Sequence, residues 1–214
     1  KGRRQAGAVQ RNFGACGLIP PSDLLDPLKT RYAEPQRHYH TWAHIEALLR
    51  HFERLKPHLN RPEAVLWALY WHDAIYDPMA KDNEDKSADL LVADAGPHVA
   101  QDDLALADKI IRATARHVVP EGLSPEDEKD LCFFLDMDLS ILAARPDVFD
   151  QYERDVRAEY AAVPAMVFRA GRAMILQGFL KRDRLYFTDT CRAEWEEAAR
   201  ANLARSVAAL EASL

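Results

Sequence analysis

The chain has 214 residues, of which 48% are hydrophobic and 29% are charged, a composition typical of a globular protein with one large core. A formal net charge of −6 argues against general binding to nucleic acids or to anionic membrane surfaces. The three cysteines, Cys16, Cys132 and Cys191, lack the CxxC spacing of metal sites and predict free thiols. No apolar run is long enough to span a bilayer, and we expect a cytoplasmic protein.

Helical patterns follow one another along the chain after a loose N-terminal arm, residues 1–21, that lacks hydrophobic periodicity. Ser22 and Asn83 are predicted to cap the first and the fourth helix. No alternating strand pattern and no internal repeat interrupts the series. The sequence therefore predicts an all-α fold, a single bundle of eight or nine helices over residues 22–214. The predicted helices cover residues 23–33, 41–55, 64–77, 84–95, 102–116, 125–142, 146–162, 164–181 and 190–214.

The helix over residues 64–77 has no polar side in its first two turns, which predicts burial on nearly all faces. His72 and Asp73 lie next to each other in this helix, and Asp73 falls on the most apolar stripe. An ionised carboxylate in such a place costs several kcal/mol unless a positive charge compensates it. The helix contains no lysine or arginine, so a basic residue from elsewhere or a metal ion has to supply that charge.

Three other segments place metal-compatible side chains beside apolar stripes. His40 and His44 are one helical turn apart, so that both imidazoles can face one direction. His117 follows the apolar stripe of the fifth helix, and Asp136 and Asp138 lie in the sixth. The helical period favours Asp138 as a ligand and predicts that Asp136 supports a ligand or contacts another helix. Taken singly, His117 also fits a packed core histidine, and Asp138 also fits an ion pair with an arginine.

The order of these residues, a histidine, then His-Asp, then a distant aspartate, resembles the HD superfamily of metal-dependent phosphohydrolases. The resemblance implies an HD-domain-like helical bundle that binds a divalent metal ion, such as Mn, Fe, Co, Ni, Mg or Zn. The implied ligands are His44, His72, Asp73 and Asp138. The likeness covers most of the chain from residue 32 onward and points to a bacterial subgroup of predicted HD phosphohydrolases. It is carried by the segments RHYHTWAHIEALL, LYWHDAIYD, NEDKSA, IRATARH, FLDMDLSIL, YERDVRAEY, GRAMILQGFL and EEAARANL.

A weaker likeness to cyclic-nucleotide phosphodiesterases is confined to three short segments around His40, His117 and Asp138. In those enzymes the histidine that matches His40 protonates the leaving oxygen, which makes His40 the expected acid. The rest of their pattern is missing, so cyclic-nucleotide specificity is not implied. Asp73 is followed by Ala74 instead of the Gly-Tyr-Pro extension of the cyclic-dinucleotide-degrading branch, so that branch is not expected either.

These residues predict an enzyme that hydrolyses a phosphomonoester or phosphodiester, expected to be a nucleotide, with a metal-activated water. His40 would donate a proton to the leaving oxygen. Asp77, one turn beyond Asp73, would orient the water or contact a second metal ion. His117 is the other candidate for a second metal ion or for the substrate phosphate.

The expected partner of the site is a small phosphorylated substrate, which needs positive charge besides the metal ion. Arg37 is the preferred phosphate ligand, because its loop has to approach the site if His40 is to act there. Lys86, Arg112 and Arg116 are more typical of solvated helix ends. The resemblance suggests that Asn83, Glu84 and Ser87 also line the substrate pocket.

Two other interpretations remain open at this stage. One is a metal-bound regulatory or ligand-binding module of the same fold without turnover. The other is a helical structural protein in which the buried charges pair with one another. A water-filled cleft at the metal favours the enzyme, whereas a metal fully enclosed by protein ligands favours the module.

Overall fold

A computed structural model describes residues 19–212, and within this range the chain forms nine α-helices and no strand. The predicted all-α fold is confirmed. The helices are α1 (Ser22–Tyr32), α2 (Trp42–Leu55), α3 (Pro62–Trp71), α4 (Asn83–Ala95), α5 (Gln101–Thr114), α6 (Pro125–Asp138), α7 (Pro146–Glu159), α8 (Ala165–Leu180) and α9 (Asp189–Glu211). Single 3-10 turns follow α2 and α6, at Lys56–His58 and Leu139–Ala143.

The predicted N-terminal arm, residues 1–21, lies mostly outside the described residues, as does Cys16. The other two cysteines, Cys132 and Cys191, are free thiols. None of the helices between residues 19 and 212 is long and apolar enough to cross a membrane.

Two predicted helix caps are wrong. Ser22 is the first residue of α1, behind Pro21, and its side chain makes no capping hydrogen bond. Asn83 is likewise the first residue of α4, and its side chain bonds the backbone of Asp77 instead. The cap of α6 is Ser124, which accepts the N–H of Asp127 next to a helix-starting proline.

The centre of the bundle is α3, which packs against α2, α4, α5 and α6. Its eight residues from 64 to 71 are all at most 5% exposed, as expected for a helix without a polar face. This helix ends at Trp71, earlier than predicted. The carbonyl groups of Asp73 and Ala74 accept N–H groups of Arg37, and the chain turns away from the helix axis there. His72 and Asp73 therefore lie directly after the carboxyl end of α3.

Asp136 connects α6 to the start of α9. Its carboxylate accepts the backbone N–H groups of Phe187 and Thr188 at 2.7 and 2.8 Å, and the Thr188 hydroxyl at 2.6 Å. The same hydroxyl accepts the N–H of Cys191 and so caps α9. Of the two predicted roles for Asp136, the helix contact is the one that this geometry fits. Residues two apart in a helix face nearly opposite directions, so Asp138 faces away from α9 when Asp136 bonds to it.

Candidate metal centre

Three helices bring His44, His72 and Asp138 together. His44 lies in the first turn of α2, His72 directly after α3, and Asp138 at the end of α6. His44 Nε2 lies 3.2 Å from His72 Nε2 and 3.2 Å from Asp138 Oδ1, and His72 Nε2 lies 3.5 Å from the same oxygen. One ligand atom from each residue lies within 4.8 Å of the others. This His-His-Asp cluster could hold a metal ion.

Asp73 approaches the same cluster from the chain that follows α3. Its Oδ2 atom lies 3.0 Å from His72 Nε2 and 3.8 Å from His44 Nε2. The four side chains suggested by the sequence therefore converge on one point. The histidine side chains are at most 4% exposed and the two carboxylates 18% and 12%, so the carboxylates form the more open side of the cluster.

The donor set suits a transition metal ion. The Nδ1 atom of His72 lies 2.9 Å from the carbonyl oxygen of Leu69. Because a carbonyl oxygen can only accept, Nδ1 carries a proton, so that in the neutral form of the ring the lone pair would be on Nε2, which faces the cluster. Two imidazole nitrogens and two carboxylates are compatible with Mn, Fe, Co, Ni or Zn.

The electrostatics of the cluster also favour a cation. Burial by itself raises the pKa of Asp73 and of Asp138. For Asp73 the charges of His72 and His40 and a hydrogen bond from His72 together outweigh this effect. For Asp138 the hydrogen bonds from His117, His44 and His72, with the charge of His72, outweigh it, so that both pKa values fall below the ordinary range. Burial lowers the pKa of His72, but the two carboxylates raise it well above its usual value. The carboxylates thus stay ionised and attract positive charge.

His117 lies at the edge of the cluster. Its Nε2 atom is 2.9 Å from Asp138 Oδ2, the carboxylate oxygen that does not face His44. Its backbone φ of 47° is in the left-handed region, which is uncommon outside glycine and costs about 1–2 kcal/mol. The carbonyls of Arg116 and His117 accept N–H groups of Arg182, which stabilise this conformation. His117 is therefore held beside Asp138 by the fold, outside the three-residue cluster.

His40 lies near the cluster and is held by Glu159, a residue of the YERDVRAEY segment whose contact with His40 the sequence did not predict. The Nδ1 atom of His40 is 2.7 Å from Glu159 Oε2, and its ring stacks on Tyr76 with 4.3 Å between centroids. Glu159 Oε1 accepts the backbone N–H groups of His38, Tyr39 and His40 at 2.8, 2.8 and 2.9 Å. The hydroxyl of Tyr76 donates to Glu159 Oε2 at 2.7 Å.

These contacts determine which nitrogen of His40 is free. Burial raises the pKa of Glu159, but the hydrogen bonds and charge of His40 and the backbone N–H groups lower it to about 2. The carboxylate is therefore ionised, Nδ1 of His40 donates to it, and Nε2 is left for the cleft. Burial lowers the pKa of His40, but the charge of Asp73 and the contact with Glu159 raise it above its ordinary value. A single glutamate at the end of the amphipathic α7 carries no local signal of this role.

Arg37 does not occupy the position predicted for a phosphate ligand. Its side chain is fully buried and donates to the carbonyl oxygens of His40, Asp73 and Ala74 at 3.1, 2.7 and 3.0 Å. A further bond joins Nε to Glu34. The guanidinium therefore joins the loop that carries His40 to the loop that carries Asp73, and the predicted contact with substrate phosphate is not supported.

We expect Arg37→Met to lower the free energy of unfolding by about 2–5 kcal/mol, because it leaves buried carbonyl groups without donors. Urea denaturation measures this change. The matched control is Arg54→Met, since Arg54 forms a half-exposed ion pair with Glu194 that contributes at most about 1 kcal/mol. Equal effects of the two variants would contradict the bridging role of Arg37.

Three other predicted residues bond the backbone of the loop between α3 and α4, although Asn83 also lines a cavity beside the cluster. Asp77 is exposed, and its carboxylate accepts the N–H of Met79 at 2.8 Å, so its predicted role beside the metal is not supported. Ser87 is fully buried and accepts the N–H of Ile75 at 3.0 Å, so it does not line a substrate pocket. Asn83 bonds the backbone of Asp77 through both amide atoms.

Glu84 is the residue of this segment that reaches the cluster. It lines a cleft of about 170 Å³ together with the metal-compatible side chains. Burial raises the pKa of Glu84, and the negative charge of Asp73 raises it further. The cleft is lined by His40, His44, Asp73, Glu84, Thr114, His117, Asp138, Tyr152 and neighbouring apolar residues.

A second cavity of about 750 Å³ lies next to the cleft. The two share His40, Glu84 and Tyr152 as lining residues, so that a ligand in one is within reach of groups in the other. Asn83, Lys81 and Arg116 also line this cavity. The candidate centre thus has room for a small anion at the cluster and for a larger group beside it.

Comparisons with known proteins identify no relative: no family model, curated protein or solved structure matches the chain. The geometry of the site and the chemistry of its residues are therefore the basis for a function.

Proposed function

We propose that the protein is a metal-dependent phosphohydrolase of the HD type, which cleaves a phosphomonoester or phosphodiester. The observation that carries the proposal is the convergence of His44, His72, Asp73 and Asp138 beside an open cleft that also contains His40. An ion held by these four residues beside the cleft would have room for water and a phosphoryl oxygen. Nucleotides are the first substrates to test, because the sequence segments resemble HD phosphohydrolases.

His44, His72, Asp73 and Asp138 would hold the divalent ion. Such an ion supplies Lewis-acid chemistry, since it lowers the pKa of a water molecule and offsets negative charge on a phosphoryl group. His117 hydrogen-bonds the outer oxygen of Asp138 and would orient that carboxylate.

Proton transfer would be divided between two side chains on the cleft. As the bond between phosphorus and the water oxygen forms, Glu84 would accept the proton that the water releases. As the bond between phosphorus and the leaving oxygen breaks, Nε2 of His40 would donate a proton to that oxygen. Glu159 keeps the proton of His40 on Nδ1 and stabilises the imidazolium, which is a positioning role.

Positive charge for the phosphate would come from Arg116 and Lys81 in place of Arg37. Both side chains line the cavity next to the cleft and both residues are exposed. Arg116 follows α5 and directly precedes His117, which lines the cleft, and a guanidinium pairs well with phosphoryl oxygens.

The proposal predicts phosphatase activity that depends on added metal. We expect hydrolysis in a screen of nucleotides and simple phosphate esters with Mn²⁺, Co²⁺, Ni²⁺ or Mg²⁺, and no activity for Asp73→Ala. His40→Asn should lower kcat by about a hundredfold to ten-thousandfold and leave the metal content unchanged. Equal turnover by the wild type and Asp73→Ala would indicate a contaminant and contradict the proposal.

The two alternatives have less support. A regulatory module with a fully enclosed metal does not require a cleft of about 170 Å³ at the cluster. A structural protein with paired charges would be expected to pair Asp138 with an arginine, whereas its partners are His44, His72 and His117. Elemental analysis of the purified protein, and a melting curve with and without chelator, would distinguish the structural alternative.

A further inference from the structure

The larger cavity is bounded mainly by apolar and aromatic side chains. Its walls come from the loop after α3, from α7 and from α8, and its volume is about 750 Å³, within the range of small-molecule sites. The apolar and aromatic residues of the wall are Tyr76, Met79, Tyr152, Val156, Tyr160, Val163, Val167, Phe168 and Ile175.

The mouth of this cavity exposes large apolar side chains to solvent. Met79, Val167 and Ile175 all line the cavity, and they are 67%, 62% and 54% exposed. Met79 belongs to the loop after α3, and the other two residues belong to α8. Clustered exposed apolar side chains around a concave site are typical of a surface that binds an apolar group.

Three polar residues of the wall, Arg172, Tyr76 and Asn83, have partners within the protein. Arg172 donates to the Tyr152 hydroxyl at 2.7 Å and forms an ion pair with Glu153. The Tyr76 hydroxyl donates to Glu159, and the Asn83 amide bonds the backbone of Asp77. Apart from Lys81, Glu84 and Arg116, which are assigned to the phosphate and to proton transfer, a ligand rich in hydroxyl groups would find few free partners along these walls and would lose its bonds to water.

We infer that this cavity binds the leaving group of the substrate and that this leaving group is predominantly apolar, an alkyl or aryl alcohol moiety. The inference rests on the proposed function, since the phosphate would sit in the cleft at the metal-compatible cluster. His40, Glu84 and Tyr152 line both spaces, so a phosphate ester can place its phosphoryl group at the cluster and its organic part in the cavity. We assign the substrate as the occupant because the cavity and the cleft share these three lining residues.

A homologous series of n-alkylphosphonates tests the inference without requiring turnover. Binding of the methyl to octyl compounds to the full chain is measured by calorimetry in the presence of Mn²⁺. Each added methylene should tighten binding by about threefold to fourfold while the chain remains within the cavity. Affinity that does not change with chain length, or the absence of any binding, would overturn the inference.

Two glycines of α8 allow a matched pair of variants, one with a new side chain inside the cavity and one with a new side chain outside it. Gly171 lines the cavity, Gly178 does not, and a Cβ atom at either position would meet no atom within 4 Å. Replacing either glycine should favour the helix, so neither variant is expected to unfold. Gly171→Leu should abolish the dependence of affinity on chain length, and Gly178→Leu should preserve it. The same chain-length dependence in both variants would overturn the inference.

Two further outcomes separate this inference from its alternatives. Chain-length-dependent binding of phosphonates without hydrolysis of any alkyl phosphate would count against the proposed hydrolase and support the apolar site. The apolar mouth could instead contact a second copy of the chain. Val167→Asp would then change the oligomeric state in size-exclusion chromatography, and the affinity of the wild type for phosphonates would not depend on chain length. This result would overturn the inference.

Discussion

Replacing Asp138 by asparagine is expected to lower the affinity for a divalent metal ion by at least about a hundredfold. The carboxylate lies between three histidines, with Oδ1 near His44 and His72 and Oδ2 near His117. The amide carries no negative charge, and one of its two polar atoms can only donate. Metal content after gel filtration, and the shift in Tm on addition of Mn²⁺ or Zn²⁺, measure the loss.

Asp136→Asn is the matched control for this variant, two residues earlier in α6. Its carboxylate accepts three hydrogen bonds from Phe187 and Thr188, so the change should lower stability without removing the metal-dependent shift in Tm. A wild-type protein that binds no metal, or an Asp138→Asn variant that binds metal as tightly as the wild type, would contradict the assignment of the centre.

Glu159→Gln is expected to lower both stability and turnover. The carboxylate accepts three backbone N–H groups, the Nδ1 proton of His40 and the Tyr76 hydroxyl. Loss of its charge should decrease the free energy of unfolding near neutral pH by about 1–3 kcal/mol. Without the anion, His40 holds its proton less strongly, so the decline of kcat with rising pH should begin at a lower pH than in the wild type.

The pH dependence of stability gives a second measurement for Glu159. Its pKa is about 2 in the folded protein, against an ordinary value of 4.5. The ionised form is therefore favoured by folding, and the stabilisation is complete above about pH 4.5 and is lost as the pH falls toward 2. Glu159→Gln should remove this part of the acid dependence in urea denaturation.

Glu194→Gln is the control for the loss of a glutamate charge, since Glu194 is half-exposed and pairs with Arg54 on the surface. It should change stability by less than about 1 kcal/mol. If both glutamine variants had the same stability and the same pH profile of kcat, the positioning role of Glu159 would be refuted.

Much of the fold follows from local sequence patterns. Proline and glycine punctuation with apolar periodicity predicted nine helical segments, and the fully apolar segment before His72 is the buried α3. The predicted ends were less accurate. Helix α3 ends at Trp71, and the carbonyl groups of Asp73 and Ala74 beyond it bond Arg37, a residue from a distant part of the chain.

The sequence likewise predicted some residues of the candidate site and missed others. The helical period placed Asp73 and Asp138 on apolar faces, where a buried charge is costly, and the resemblance to HD phosphohydrolases added His44 and His72 and suggested the four residues as one ligand set. Arg37 and Ser87 were also predicted to contact the substrate, yet their side chains form hydrogen bonds with backbone groups. Glu159 lay in a segment without any local sign that it would reach the loop before α2.

The sequence by itself determined the helical class, the burial of α3 and the short set of polar residues that had to be neutralised. These properties depend on the period of apolar residues and on the cost of buried charge, both of which are local. Only the tertiary structure decided which nitrogen of His40 faces the cleft, that Arg37 joins two loops, and that an apolar cavity adjoins the cluster. Such properties depend on which distant backbone and side-chain atoms satisfy each polar group, and a helical period contains no information about those partners.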